Sequence, residues 1–138
     1  MKRIYIDFGV LIAAAHGTTA VAIPAIEILD DPNREFASSI FVKLEVLPKA
    51  IYYKNTAETE FYEAFFKSVT YWANSLEGII ENAYCEACNS GLAALNALHL
   101  AAAVSISAEK LVTTEKPDKP IHRATSITVV SIVPSSLL

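Results

Sequence analysis

Short runs of β-branched and aromatic residues alternate along this chain with longer segments of helical spacing. That alternation leaves few architectures open, chiefly a parallel sheet with helices as crossovers. Arg3–Ile6 reads R-I-Y-I and stops at Asp7, which predicts a buried strand. V-L-I-A-A-A after Gly9 predicts a helix ended by His16-Gly17-Thr18-Thr19, and a second helix is expected over Ala20–Leu29. Asp30-Asp31-Pro32-Asn33 marks a turn. Phe36–Val42 is the next expected strand, and Lys43–Tyr53 has helical spacing interrupted by Pro48. Thr56–Asn74 is expected as one helix, capped by Thr56, with a stripe of Phe61, Phe65, Val69 and Trp72. A short strand over Leu76–Ile80, a short helix over Glu81–Cys88 and an apolar helix over Leu92–Ser107 follow. The pattern closes with strands over Lys110–Thr114 and Ser126–Val133, separated by a polar loop. The predicted class is α/β with a mostly parallel central sheet.

The 138 residues suit one domain over 1–138. Apolar residues make up 53% and charged residues 19%, which excludes intrinsic disorder and suggests a sheet buried on both faces or a subunit interface. The Phe61/Phe65/Trp72 helix and the alanine-rich helix are the expected dimer faces. A net charge of −4 excludes a strongly basic nucleic-acid binder but leaves room for a local basic patch. No apolar run reaches the roughly 18 residues of a membrane span. Asp7 interrupts the first apolar segment, so a signal peptide is not expected and a cytoplasmic chain is.

In parallel α/β sheets, ligands sit beyond the carboxyl ends of the strands. Here those ends carry acids. Asp7 closes the first strand, Glu45 lies in the first turn after the second, and Glu115 closes the third. Asn96 lies near the start of the helix that feeds the third. Clustered carboxylates repel and lose hydration, so they gather where a cation offsets them, and hard oxygen ligands suit Mg²⁺ or Mn²⁺. Isolated acids at strand ends and helix N-termini are also common, and spacing alone does not separate the two readings.

Four segments resemble the signatures of PIN domains, in order and over nearly the whole chain. They are R-I-Y-I-D-F-G-V-L-I-A-A-A, S-S-I-F-V-K-L-E-V-L, G-L-A-A-L-N-A-L-H-L-A-A-A-V and A-E-K-L-V-T-T-E-K-P. The resemblance implies a three-layer α/β/α fold and a Mg²⁺- or Mn²⁺-dependent endoribonuclease, often a VapC-like toxin with an antitoxin partner. It implies catalytic roles for Asp7, Glu45, Asn96 and Glu115, with Asp7, Glu45 and Glu115 as metal ligands. Two departures stand out. Asn96 replaces a family carboxylate, and Phe8-Gly9 replaces a step that usually carries a polar side chain. They motivate an alternative, a catalytically impaired PIN-fold module that binds RNA or protein. A homodimer is expected in either case.

Lys116, Lys119 and Arg123, with His122, form a basic concentration after Glu115, and Lys43 precedes Glu45 by two residues. These are the candidate RNA-binding residues. Asp118 offers a further acid in the same loop. Cys85-x-x-Cys88 lacks the other ligands a zinc site needs and is expected to be structural. Asp7-Phe8-Gly9 matches a kinase tripeptide, but no other kinase motif accompanies it. His99, on an apolar helix, is expected as a satisfied core histidine.

Overall fold

The computed structural model describes residues 2–138. Five strands form one sheet: β1 (Lys2–Ile6), β2 (Arg34–Ser39), β3 (Tyr71–Ala73), β4 (Lys110–Thr113) and β5 (Thr128–Ser131). Their order is β3-β2-β1-β4-β5 and every pairing is parallel. Chain order therefore reverses between β1 and β4, and in open α/β sheets ligands bind beyond the carboxyl ends of the strands at such a point.

Six helices cover the sheet: α1 (Phe8–His16), α2 (Ala22–Leu29), α3 (Ile40–Tyr52), α4 (Thr56–Ser68), α5 (Leu76–Ser90) and α6 (Ala94–Ser105). α1, α3 and α4 pack on one another, and α5 packs on α6, which lies against β2, β3 and β4. The architecture is three-layer α/β/α. Ile4, Tyr5 and Ile6 of β1 and Leu111 and Val112 of β4 are buried, as a sheet covered on both faces requires.

Several boundaries depart from the expectations. The second strand ends at Ser39, and Ile40–Val42 open α3 instead of extending the sheet. α4 is capped by Asn55, whose side chain accepts from Glu58 N–H, and it stops at Ser68. Trp72 therefore belongs to β3, not to the helical stripe. Leu76–Ile80 is no strand but the start of α5, which absorbs the expected short helix. The expected apolar faces are also redistributed. Phe65 and half of α6 are buried, whereas Leu76, Ile80 and Tyr84 form an exposed apolar stripe on α5. Ile40, Leu44 and Ile51 do the same on α3. No single helix among the described residues is long and apolar enough to cross a membrane.

Candidate metal centre

The site grows from the end of β1. Asp7 N–H continues the sheet by donating to the Val112 carbonyl at 2.9 Å, so the residue is fixed where β1 ends beside β4. Asp7 is also the N-cap of α1. Its Oδ1 accepts from Phe8 N–H at 2.8 Å, and its Oδ2 accepts from the Thr113 hydroxyl at 2.8 Å. Thr113 Oγ1 in turn accepts from Glu115 N–H at 3.1 Å. The carboxylate is only 2% exposed, and burial pushes it above the usual carboxylate range. Attraction from His99 and the Thr113 and Phe8 hydrogen bonds oppose that rise.

Gly9 explains how close α1 comes to β4. A Cβ at position 9 would lie 2.1 Å from Thr114 Oγ1, so the space a side chain would occupy holds the threonine hydroxyl. The Phe8-Gly9 departure thus places a polar atom of the residue after β4 beside Asp7's helix.

Glu45 reaches the site from the second turn of α3, since its helix begins five residues earlier at Ile40. Its partner is His99, fully buried on α6, whose Nε2 hydrogen-bonds Glu45 Oε1 and lies 3.9 Å from Asp7 Oδ1. On its other side, His99 Nδ1 lies 3.0 Å from the Tyr5 hydroxyl, which lies 2.7 Å from Ser39 Oγ. Burial pushes the Tyr5 phenol far up, so it stays a hydroxyl. Phe8 stacks near the imidazole at 28° between planes, and Phe41 meets it edge-on. One donor atom each from Asp7, Glu45 and His99 lies within 4.8 Å of the others. Two carboxylate oxygens and an imidazole nitrogen, held this close with one acid buried, are a donor set able to hold a divalent cation.

The expected site residues divide. Asp7 and Glu45 converge. Asn96 lies one turn before His99 on α6 and is half-buried. Glu115 lies two residues beyond β4; its main chain is pinned by Thr113 and by His122 Nε2, which donates to its carbonyl at 3.0 Å. Its carboxylate is outside the three-residue group. His99 is the residue that sequence reasoning placed in the core. It is buried and satisfied as expected, but its partners are the acids. The available signal was its spacing of one turn from Asn96.

No protein-family model matches the chain, and no curated protein matches it. Solved structures do match. A chain of the VapBC2 complex of Rickettsia felis, bound to a DNA fragment from its promoter, aligns with a TM-score of 0.71 at 15% identity, covering 94% of this chain and 98% of that one. A toxin–antitoxin complex from Klebsiella pneumoniae aligns with a TM-score of 0.68 at 21% identity over 94% and 98%. VapBC-1 of nontypeable Haemophilus influenzae aligns with a TM-score of 0.65 at 15% identity over the same shares.

The fold is PIN-like.

In this PIN-like fold, a cleft of about 280 Å³ adjoins Glu45 and is lined by Ile12, His16, Lys49, Tyr53 and Tyr62 among others. Of the expected RNA-binding residues, Lys116 and Lys119 are exposed on the loop after β4. Arg123 reaches the Ser90 carbonyl at 3.3 Å, clipping that loop to the end of α5. Lys43 points elsewhere. Its ammonium sits 4.8 Å from the Trp72 ring centre and 5.5 Å from that of Phe66, roughly 200° around α3 from Glu45. Asp118 is exposed in the loop, and Cys85 and Cys88 are exposed free thiols on α5.

Proposed function

We propose that this chain is a divalent-metal-dependent endoribonuclease of PIN type, acting as the toxin of a toxin–antitoxin pair. The observation that carries the reading is the convergence of Asp7 and Glu45, from separate elements, at the point where strand order reverses. Likeness in fold to chains of VapBC complexes supports the toxin role and an antitoxin partner. Asp7 and Glu45 hold the ion, with Mg²⁺ or Mn²⁺ as the working choices. When bound, such an ion supplies charge that activates water and stabilises the departing oxygen of a phosphodiester.

The chain's own residues do the rest. Phe8 N–H and Thr113 Oγ1 hold the Asp7 carboxylate in one orientation. Glu115 and Asn96 serve to orient water and substrate. Lys116, Lys119 and Arg123 neutralise RNA phosphates beyond the carboxyl end of β4, and Lys43 adds charge from another side of α3. The exposed stripes on α3 and α5 supply the homodimer and antitoxin contacts. The working unit is the whole chain, 1–138, in the cytoplasm.

The test is cleavage of structured and single-stranded RNAs with Mg²⁺, Mn²⁺ or EDTA, beside Asp7→Asn prepared identically. Metal-dependent cutting that the variant lacks is expected. RNA binding without cutting under every condition would replace the reading with a non-catalytic module.

A further inference from the structure

We infer that His99 is itself a metal ligand through Nε2, and that its nitrogen turns the site away from Mg²⁺ toward first-row transition ions such as Mn²⁺ and Zn²⁺. The inference rests on the reading of Asp7 and Glu45 as metal ligands and adds to it a donor that no carboxylate pattern contains.

The geometry comes first. Nε2 lies between the two acids, in hydrogen-bond contact with Glu45 Oε1 and 3.9 Å from Asp7 Oδ1. Among the described His, Cys, Asp and Glu residues, no other brings a ligand atom into that group.

The hydrogen-bond relay behind the ring comes second. A carboxylate only accepts, so the Nε2 contact with Glu45 places a proton on Nε2. With that tautomer, Tyr5 donates to Nδ1 and Ser39 donates to Tyr5. Ligation requires a bare Nε2 and hence a proton on Nδ1. The same three residues accept that change by reversing direction. Nδ1–H donates to the Tyr5 oxygen, and Tyr5 donates to Ser39 Oγ. Tyr5 is satisfied either way, and the cost of the reversal falls on Ser39, whose hydroxyl hydrogen gives up Tyr5 as its acceptor. A buried partner on the far nitrogen is what fixes and strengthens a histidine ligand. Release of Nε2–H also frees the Glu45 oxygen to join the ion. The ring needs little movement, because Phe8 and Phe41 already pack around it.

The consequence is selectivity. Mg²⁺ favours oxygen and water, whereas imidazole suits transition ions. A competing account makes His99 a mere counter-ion, its N–H neutralising the acids in place of a metal. The two accounts predict opposite effects of removing the ring.

The experiment uses the full chain, freed of metal, with Mn²⁺ as the probe. Calorimetry measures affinity, and pulsed electron paramagnetic resonance detects nitrogen coupled to bound Mn²⁺. Imidazole ¹⁴N coupling is expected in the wild type and in His16→Asn and His122→Asn. His99→Gln is expected to lose the coupling and to bind Mn²⁺ about 10- to 100-fold more weakly. Tyr5→Phe is expected to keep the coupling but weaken binding by about tenfold. Zn²⁺ should displace Mn²⁺ at equal concentration, while a large excess of Mg²⁺ should not. If His99→Gln fails to fold by circular dichroism, the wild-type coupling decides alone. Mn²⁺ bound without nitrogen coupling, or bound more tightly by His99→Gln, overturns the inference and leaves the Asp7–Glu45 metal reading standing. Failure of the wild type to bind Mn²⁺ or Zn²⁺ overturns both.

Discussion

Asp7 holds a charge in a place that disfavours charge, so replacing it with Asn should stabilise the metal-free protein. Desolvating an ion in a protein interior costs several kcal/mol. Hydrogen bonds to charged oxygens return about 1.5–3 kcal/mol each, and Asp7 accepts two, from Phe8 N–H and Thr113 Oγ1. His99 returns more. The carboxyl is nevertheless raised, so the burial cost exceeds these returns. Asn escapes the ionic cost. Its oxygen keeps the Phe8 N–H and its amide turns to Thr113 Oγ1, at the expense of the hydroxyl's own donation. The balance is a gain of about 1–2 kcal/mol at neutral pH, or roughly 3–8 °C in Tm for a chain of this size. The pH dependence has a definite sign. An acid whose folded pKa is raised penalises the fold fully above that pKa, and the penalty disappears as pH falls below the unfolded value. The advantage of Asp7→Asn should therefore be greatest at neutral pH and shrink as pH drops into the carboxylate range. Mn²⁺ should also shrink it, because the ion stabilises only the wild type. Thermal unfolding by circular dichroism in EDTA, from neutral to acidic pH, measures all of this. A variant less stable than wild type at neutral pH, or a gap that widens in acid, would refute the reasoning.

Other substitutions test the surrounding architecture. Gly9→Ala should lower stability by about 1–2 kcal/mol, because the clash with Thr114 Oγ1 outweighs the helix-propensity gain; most of the loss should vanish in a Thr114→Ala background when a double-mutant cycle is read by denaturant unfolding. Asn96→Asp should leave Mn²⁺-supported cleavage within about threefold, since Asp7, Glu45 and His99 already supply three converging ligand atoms; a gain of two orders of magnitude in initial rate would show that the site lacks a carboxylate there. Ile80→Glu combined with Tyr84→Glu should convert a dimer to a monomer in light scattering while changing stability by no more than about 0.5 kcal/mol per site, because both side chains are exposed.

The parallel sheet was readable because Arg3–Ile6 and Lys110–Thr113 are short, apolar and bounded by polar residues. Asp7 and Glu45 were readable because strand ends in such sheets face the ligand crevice. The misplaced boundaries have local causes. Ile40-Phe41-Val42 is β-prone, but Ser39 turns the extended chain directly into α3 with no intervening loop. A short apolar run does not distinguish strand from buried helix. Val69 and Trp72 extend the α4 periodicity by coincidence, while Val69-Thr70-Tyr71-Trp72 is itself a β-prone sequence that pairs beside β2. Leu76–Ile80 carries two adjacent isoleucines, yet it continues into a helix whose far end Gly91 terminates in a left-handed conformation. His99 was the hardest to read. Its role depends on Tyr5, Ser39 and Glu45, which lie on three other elements, and no local pattern places a buried imidazole between two acids.

The most direct test of the central claim is the single-turnover cleavage rate of one synthetic RNA at fixed Mn²⁺, measured for wild type, Asp7→Asn and Glu45→Gln from matched preparations. Loss of at least about 100-fold in each variant, and complete loss in EDTA, is the predicted result. Equal rates in all three proteins would contradict the assignment of Asp7 and Glu45 as the metal-holding pair.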